Sequence, residues 1–166
     1  MQVNVAGIVP ESIVDGPGFR YAVFVQGCPH GCPGCHNPET HSFEGGTPMA
    51  LEELFQQFQR NPMLKGITLS GGEPFCQAEA LARLAEMVHG AGKDVVTYTG
   101  YTFEELSVSQ GSHITALLRE TDLLVDGPYL EAQRNIDLLF RGSENQRLID
   151  VKRSLAAGRA VLWEQQ

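Results

Sequence analysis

Cys28, Cys32 and Cys35 place three thiols within eight residues, in the spacing C-x3-C-x2-C. They are interleaved with Gly27, Pro29, Gly31, Pro33 and Gly34, which let the backbone wrap closely around a bulky centre. Soft thiolates in such a group suit either zinc or an iron–sulfur cluster. Structural zinc asks for a fourth ligand, and His30, His36 or His41 stand close enough in sequence to supply it. The cysteines alone leave zinc and a cluster both open.

A second segment bears on that choice. "LSGGEPF" puts Gly71, Gly72 and Glu73 at the end of a short apolar run, some forty residues further on. Glycine permits close approach of a ligand to the backbone, and a carboxylate at Glu73 can accept hydrogen bonds from an ammonium group. By itself a Gly-Gly-Glu-Pro segment is an ordinary turn. With the three cysteines following the preceding apolar run, the pair of motifs resembles the radical S-adenosylmethionine enzymes. That resemblance implies one 4Fe-4S cluster held at three irons by Cys28, Cys32 and Cys35. The fourth iron is then left for the amino and carboxylate groups of S-adenosylmethionine, and the thiols are catalytic through the cluster.

The elements that must position these residues are legible as alternating strands and helices. Arg20 to Gly27, Gly66 to Ser70, Asp94 to Gly100 and Asp122 to Gly127 read as strands. Helices are expected over residues 47–60, with Thr47 as N-cap and Pro48 in the first turn, from about Gln77 to His89, and from Ser112 as a cap. "NIDLLFRG", "RLIDV" and "RAVLW" are further short strand candidates. This order predicts a single α/β domain over residues 1–166, either a partial (β/α) barrel or an open, mainly parallel sheet with outer helices. Ligands in such sheets collect beyond the carboxyl ends of the strands. The cysteine loop, Gly71–Glu73, Thr99 with Gly100, and Asp126 with Gly127 all emerge there.

Net charge is −8, from 12 Lys and Arg against 20 Asp and Glu, which argues against non-specific binding of nucleic acid or anionic membrane. The N-terminal residues carry neither a basic region nor a long apolar run. No stretch reaches the ~18 apolar residues of a membrane span, so a cytoplasmic protein is expected.

Further segments extend the resemblance. "VDGPGFRYAVFVQGCPHGCPGCHNPET", "TYTGYTFEEL", "LLVDGPYL" and "FRGSENQRLIDV" are similar to the activating components of anaerobic ribonucleoside-triphosphate reductase, within the glycyl-radical-enzyme activases. The resemblance implies an enzyme that abstracts a hydrogen from a backbone glycine of that reductase, fed by a flavodoxin- or ferredoxin-type reductant. The alternatives are an activase of another glycyl-radical enzyme of the pyruvate formate-lyase type, a radical enzyme acting on a small molecule, and a non-catalytic zinc or iron–sulfur protein. The same resemblance assigns the S-adenosylmethionine contacts to Gly34, Cys35, His36, Gly71, Gly72, Glu73, Thr99 and Asp126. Where many relatives in the superfamily have an aromatic residue before the third cysteine, this chain has Gly34. Valine at Gly72 is expected to block the cofactor while sparing the cluster. Cys76 is expected to be a buried packing thiol. Arg20, Arg141 and Arg147 are candidates for acidic groups of a substrate, with surface solvation as the alternative.

Overall fold

The computed structural model describes residues 1–165. Its elements are β1 (Gln2–Ser12), β2 (Arg20–Val25), β3 (Thr47–Ala50), α1 (Leu51–Gln59), β4 (Gly66–Gly71), α2 (Ala78–Gly90), β5 (Asp94–Tyr98), α3 (Phe103–Ser107), α4 (Ser112–Glu120), β6 (Leu123–Asp126), β7 (Arg147–Asp150) and α5 (Val151–Ala157). The strands form one sheet in the order β3-β1-β2-β4-β5-β6-β7. The sheet is open, with β3 and β7 as its edges.

The four central strands, β2, β4, β5 and β6, are parallel. Each expected central strand is therefore present. β1 and β3 add antiparallel on one side and β7 on the other, so the periphery departs from the expected parallel order. Parallel neighbours need a crossover, and helices supply it only between the central strands.

Strand alternation divides the apolar residues between two faces. One face of the sheet, with Val23, Leu69, Val95 and Leu124, packs on Leu54, Phe58, Leu81, Leu84, Val88 and Leu117 of the helices. These side chains are essentially all removed from water, at ~25 cal/mol per Å2 of apolar surface. On the opposite face a smaller cluster of Val96, Leu123 and Val125 packs with Tyr98, Leu148 and Trp163. Phe24, Ser70 and Tyr98, aligned across β2, β4 and β5 on that second face, form the floor of a cavity.

Several local expectations are corrected. Residues 47–50 are not helical but pair with Gln2–Val5 of β1, and α1 begins at Leu51 with Ala50 at its N-cap. Pro48 is tolerated because it lies on an edge strand. Ser112 is the first helical residue of α4, with Gly111 at the N-cap and no side-chain cap bond. "RLIDV" supplies β7, whereas "NIDLLFRG" forms no strand and "RAVLW" makes only an isolated bridge, Leu162 to Ile149. β1 and the short α3 were not among the expected elements. Among the described residues, no helix is long and apolar enough to cross a membrane.

Candidate active site

The chain leaves β2 at Val25 and turns through Gly27, whose φ of +105° is one that side-chain-bearing residues rarely adopt. The loop that follows returns alongside itself. Gly27 N–H donates to Thr40 O (2.7 Å) and Cys28 N–H to His41 O (3.1 Å). The side-chain amide of Gln26, itself buried, donates to the Ser42 and Glu39 carbonyls at 2.6 and 3.1 Å. These bonds close the loop at its base and leave its tip to carry Cys28, Cys32 and Cys35.

All three thiols are half-buried and line one cavity of about 870 Å3. Asn37 N–H points to Cys35 Sγ at 3.5 Å, the kind of contact that stabilises a thiolate. Burial pushes the Cys28 thiol up, and the neighbouring Glu73, Cys32 and Cys35 charges push it further. Cysteine binds metal as the thiolate, and a coordinated metal deprotonates its thiols outright. Among the described residues, no three His, Cys, Asp or Glu side chains converge closely enough to chelate one ion. Cys76 is exposed rather than buried and lines a separate hollow with Met1 and His113, so it is neither a core thiol nor a fourth ligand from the main cavity.

The glycine pair packs against the start of this loop. Gly72 N–H donates to Val25 O (2.9 Å) and Glu73 N–H to Gly27 O (2.8 Å). A Cβ on Gly71 would lie 2.4 Å from Val25 N, and one on Gly72 would lie 2.3 Å from Gly27 O. Both glycines also face the cavity. Valine at Gly72 would therefore disturb the cysteine loop itself, contrary to the expectation that it would spare the cluster.

Glu73 is fully buried and is not on the cavity wall. Its Oε2 accepts from Phe75 N–H (3.0 Å), and its Oε1 accepts from Gly100 N–H (2.9 Å). The Thr99 hydroxyl lies 2.9 and 3.0 Å from the two oxygens, and His30 Nε2 lies 2.6 Å from Oε1. His30, a candidate fourth ligand in the sequence, is engaged elsewhere: its ring meets Tyr101 edge-on at 4.5 Å between centroids and fills the space left by Gly100, where a Cβ would lie 2.5 Å from the ring. Glu73 thus joins three segments: the cysteine loop, the loop after β4 and the loop after β5. A carboxyl group buried this deeply needs hydrogen-bond partners, and Phe75 N–H, Gly100 N–H and the Thr99 hydroxyl donate to it.

The other candidates divide. Thr99 and His36 line the cavity, and His36 packs against Tyr129 at 5.0 Å between ring centroids. Gly34 takes φ +74° and lies against the Glu131 carboxylate, where a Cβ would be 2.7 Å from Cδ. Asp126 is buried and engaged within the protein, accepting from Phe103 N–H (2.7 Å) and from Arg147 Nε (3.0 Å) and Nη2 (2.6 Å). Arg147 also contacts Glu104, and Asp126 with Glu104 outweighs burial to raise its pKa. Arg20 is not a surface residue. It is wholly buried at the opposite end of the sheet, paired with Asp94 at 2.6 Å. Arg141 does reach the cavity.

Residues 14–149 match the model of the "4Fe-4S single cluster domain" family. The anaerobic ribonucleoside-triphosphate reductase-activating protein of Escherichia coli K12 is 34% identical over 145 residues, covering 82% of this chain and 92% of its own. The protein of the same name from Vibrio cholerae is 38% identical over 82% of this chain and 91% of its own. That from bacteriophage T4 is 34% identical over 88% and 93%. The chain belongs to this family of reductase-activating proteins. The crystal structure of QueE from Escherichia coli overlaps 61% of this chain and 54% of its own, with 20% identity and a TM-score of 0.49. The family's cluster-domain match contains every candidate residue of the cavity from Val14 to Gln146, including all three loop cysteines. An activating enzyme with an iron–sulfur domain is what the open sheet and its cysteine loop build.

Proposed function

We infer that the chain reductively cleaves S-adenosylmethionine and installs the glycyl radical of an anaerobic ribonucleoside-triphosphate reductase. The observation that carries this reading is the set of exactly three loop thiols on one cavity wall with the Gly71–Gly72 backbone. Cys28, Cys32 and Cys35 would hold the 4Fe-4S cluster at three corners and leave one iron free of protein ligands. When bound, the cluster would supply one electron to the sulfonium of S-adenosylmethionine, breaking its carbon–sulfur bond to give methionine and an adenosyl radical that would take a hydrogen atom from a glycine α-carbon.

The chain's own residues bind, orient and exclude. The Gly71–Gly72 backbone faces the cavity and gives a substrate's amino group a close surface without side chains. Glu73 fixes that backbone against the cysteine loop through Gly100, Thr99 and His30, and its negative charge acts on the cavity from behind the wall. His36 and Tyr129 offer ring edges suited to adenine. Val14, Phe24 and Leu139 give the cavity an apolar lining, which a seated substrate would cover to shield a reactive carbon centre from water. Glycine is the chemically sensible target, since no side chain obstructs its α-carbon and the flanking amides delocalise the radical.

The test is direct. The reconstituted protein is mixed anaerobically with an anaerobic ribonucleoside-triphosphate reductase, S-adenosylmethionine and a flavodoxin- or ferredoxin-type reductant. A glycyl-radical doublet should develop by electron paramagnetic resonance. Deuterium placed on the target glycine's α-carbon should appear in 5′-deoxyadenosine. A signal with pyruvate formate-lyase and none with any reductase would overturn the partner and keep the chemistry.

A further inference from the structure

The sequence offers Arg20, Arg141 and Arg147 for acidic groups of a substrate, and their surroundings in the fold differ. Arg20 and Arg147 are paired to carboxylates of the protein, Asp94 for the first and Asp126 with Glu104 for the second. Arg141 has no such partner among the described residues. Among the described residues its one hydrogen bond runs from Nη1 to the Gln146 carbonyl, at 3.2 Å. Its Nε is buried and bonded to nothing. Among the described residues two other buried side-chain atoms lack a hydrogen bond, Asn4 Oδ1 and Asp94 Oδ1. Neither residue lines the main cavity, and Asp94 Oδ1 lies 2.6 Å from Arg20.

Arg141 is also the one Lys or Arg among the residues lining that cavity. Its loop is held firmly. Tyr98, from the cavity floor, donates its hydroxyl to Phe140 O at 2.7 Å. Among the described residues Phe140 is the one non-glycine residue with positive φ, at +61°, and its ring packs on Trp163. Gln146 Oε1 accepts from Gly142 N–H (2.9 Å) and Ser143 N–H (3.2 Å). A side chain in this backbone region is rarely tolerated without an external reason, and such strain gathers at ligand sites. A guanidinium is always charged, and its Nε–Nη2 edge matches the two oxygens of a carboxylate. With Nη1 already engaged, that edge is the part of Arg141 left for a ligand.

We propose that Arg141 is a carboxylate-binding residue of the cavity and that its ligand is the methionyl carboxylate of S-adenosylmethionine. This assignment rests on the functional reading above. It gives the "FRGSENQR" segment a role: a rigid loop that presents one unsatisfied cation to the cavity.

The experiment compares cluster-loaded wild type, Arg141→Gln and Arg141→Lys by equilibrium dialysis under anaerobic conditions. The probes are S-adenosylmethionine and decarboxylated S-adenosylmethionine. Loss of one charge-assisted, bidentate contact should weaken S-adenosylmethionine binding to Arg141→Gln by about 10- to 100-fold. Lysine should recover part of that loss. The decarboxylated probe should bind more weakly than the parent, and to the same extent in wild type and Arg141→Gln. The melting temperature of Arg141→Gln should fall by no more than about 4 °C, because the one protein hydrogen bond lost is that from Nη1 to the Gln146 carbonyl. An equal loss for both probes would overturn the proposal. So would unchanged S-adenosylmethionine binding with weakened affinity for the reductase, which would place the carboxylate on the partner. If wild type bound no S-adenosylmethionine, the functional reading itself would fall, and this assignment with it.

Discussion

The two ends of the parallel strands bury charge in opposite ways. At the amino ends, Arg20 donates to Thr68 Oγ1 (2.7 Å), Ile67 O (2.7 Å) and Pro17 O (3.0 Å) and pairs with Asp94. Nearby, both ring nitrogens of His89 meet carboxylates, Glu120 at 2.6 Å and Asp122 at 2.7 Å, while Asp122 also accepts from Val95 N–H. These groups are satisfied by the protein alone. At the carboxyl ends, Glu73 is equally satisfied, yet the groups in front of it are not. Three thiols converge on a cavity, Cys28 is pushed up by burial, and Arg141 Nε has no acceptor. The difference separates buried polarity that holds a fold from buried polarity that awaits a ligand. Depth of burial does not distinguish them, but completeness of partners does.

The strongest way to break that comparison is Arg20→Met. Removing the cation leaves Asp94 unpaired and three acceptors without their donor, so stability should fall by about 3–5 kcal/mol in urea denaturation. A loss near zero would mean that the amino end is not held by its charges. Burial lowers the Arg20 pKa and Asp94 partly offsets that shift.

Glu73→Gln tests the carboxyl end. The amide turns a donor toward a neighbour that itself donates, so the metal-free protein should lose about 2 kcal/mol by urea denaturation. If stability held and only S-adenosylmethionine binding weakened, Glu73 would belong with the ligand rather than with the frame. The smallest effect is at His89. Burial disfavours its charge, but Asp122 and Glu120 outweigh burial and raise its pKa above the ordinary value. Its contribution to stability is therefore complete below about pH 6.5 and is lost as pH rises through the higher folded value. The stability gap between wild type and His89→Gln, about 1 kcal/mol or less, should narrow between pH 6 and 9. A gap that widened with pH would reverse the assignment of charge.

Much of the site was legible from the chain. The four central strands read as strands because their runs are apolar and end at glycine, and strand order alone sends Cys28–Cys35, Gly71–Glu73 and Thr99 to one rim. What was not legible depends on partners far away in sequence. Arg20 is buried because Thr68 and Asp94 lie on neighbouring strands, and Asp126 is occupied because Arg147 returns on β7. His30 reaches Glu73 across forty-three residues, a contact fixed by the β2–β4 pairing rather than by any local pattern. β1 escaped notice because much of its length is exposed and it contains Pro10. Residues 47–50 carry helix-start signals that the free edge of β1 overrides.

The central claim is that the unsatisfied end of the sheet holds an iron–sulfur cluster with one iron left open for S-adenosylmethionine. It is tested most directly by anaerobic reconstitution, iron analysis and electron paramagnetic resonance of the reduced protein with and without S-adenosylmethionine. The account predicts about four irons per chain in wild type and Cys76→Ala, no stable four-iron cluster in Cys28→Ala, Cys32→Ala or Cys35→Ala, and a cluster signal that changes when S-adenosylmethionine is added. Stoichiometric zinc with no reconstitutable cluster, or a cluster signal indifferent to S-adenosylmethionine, would contradict it.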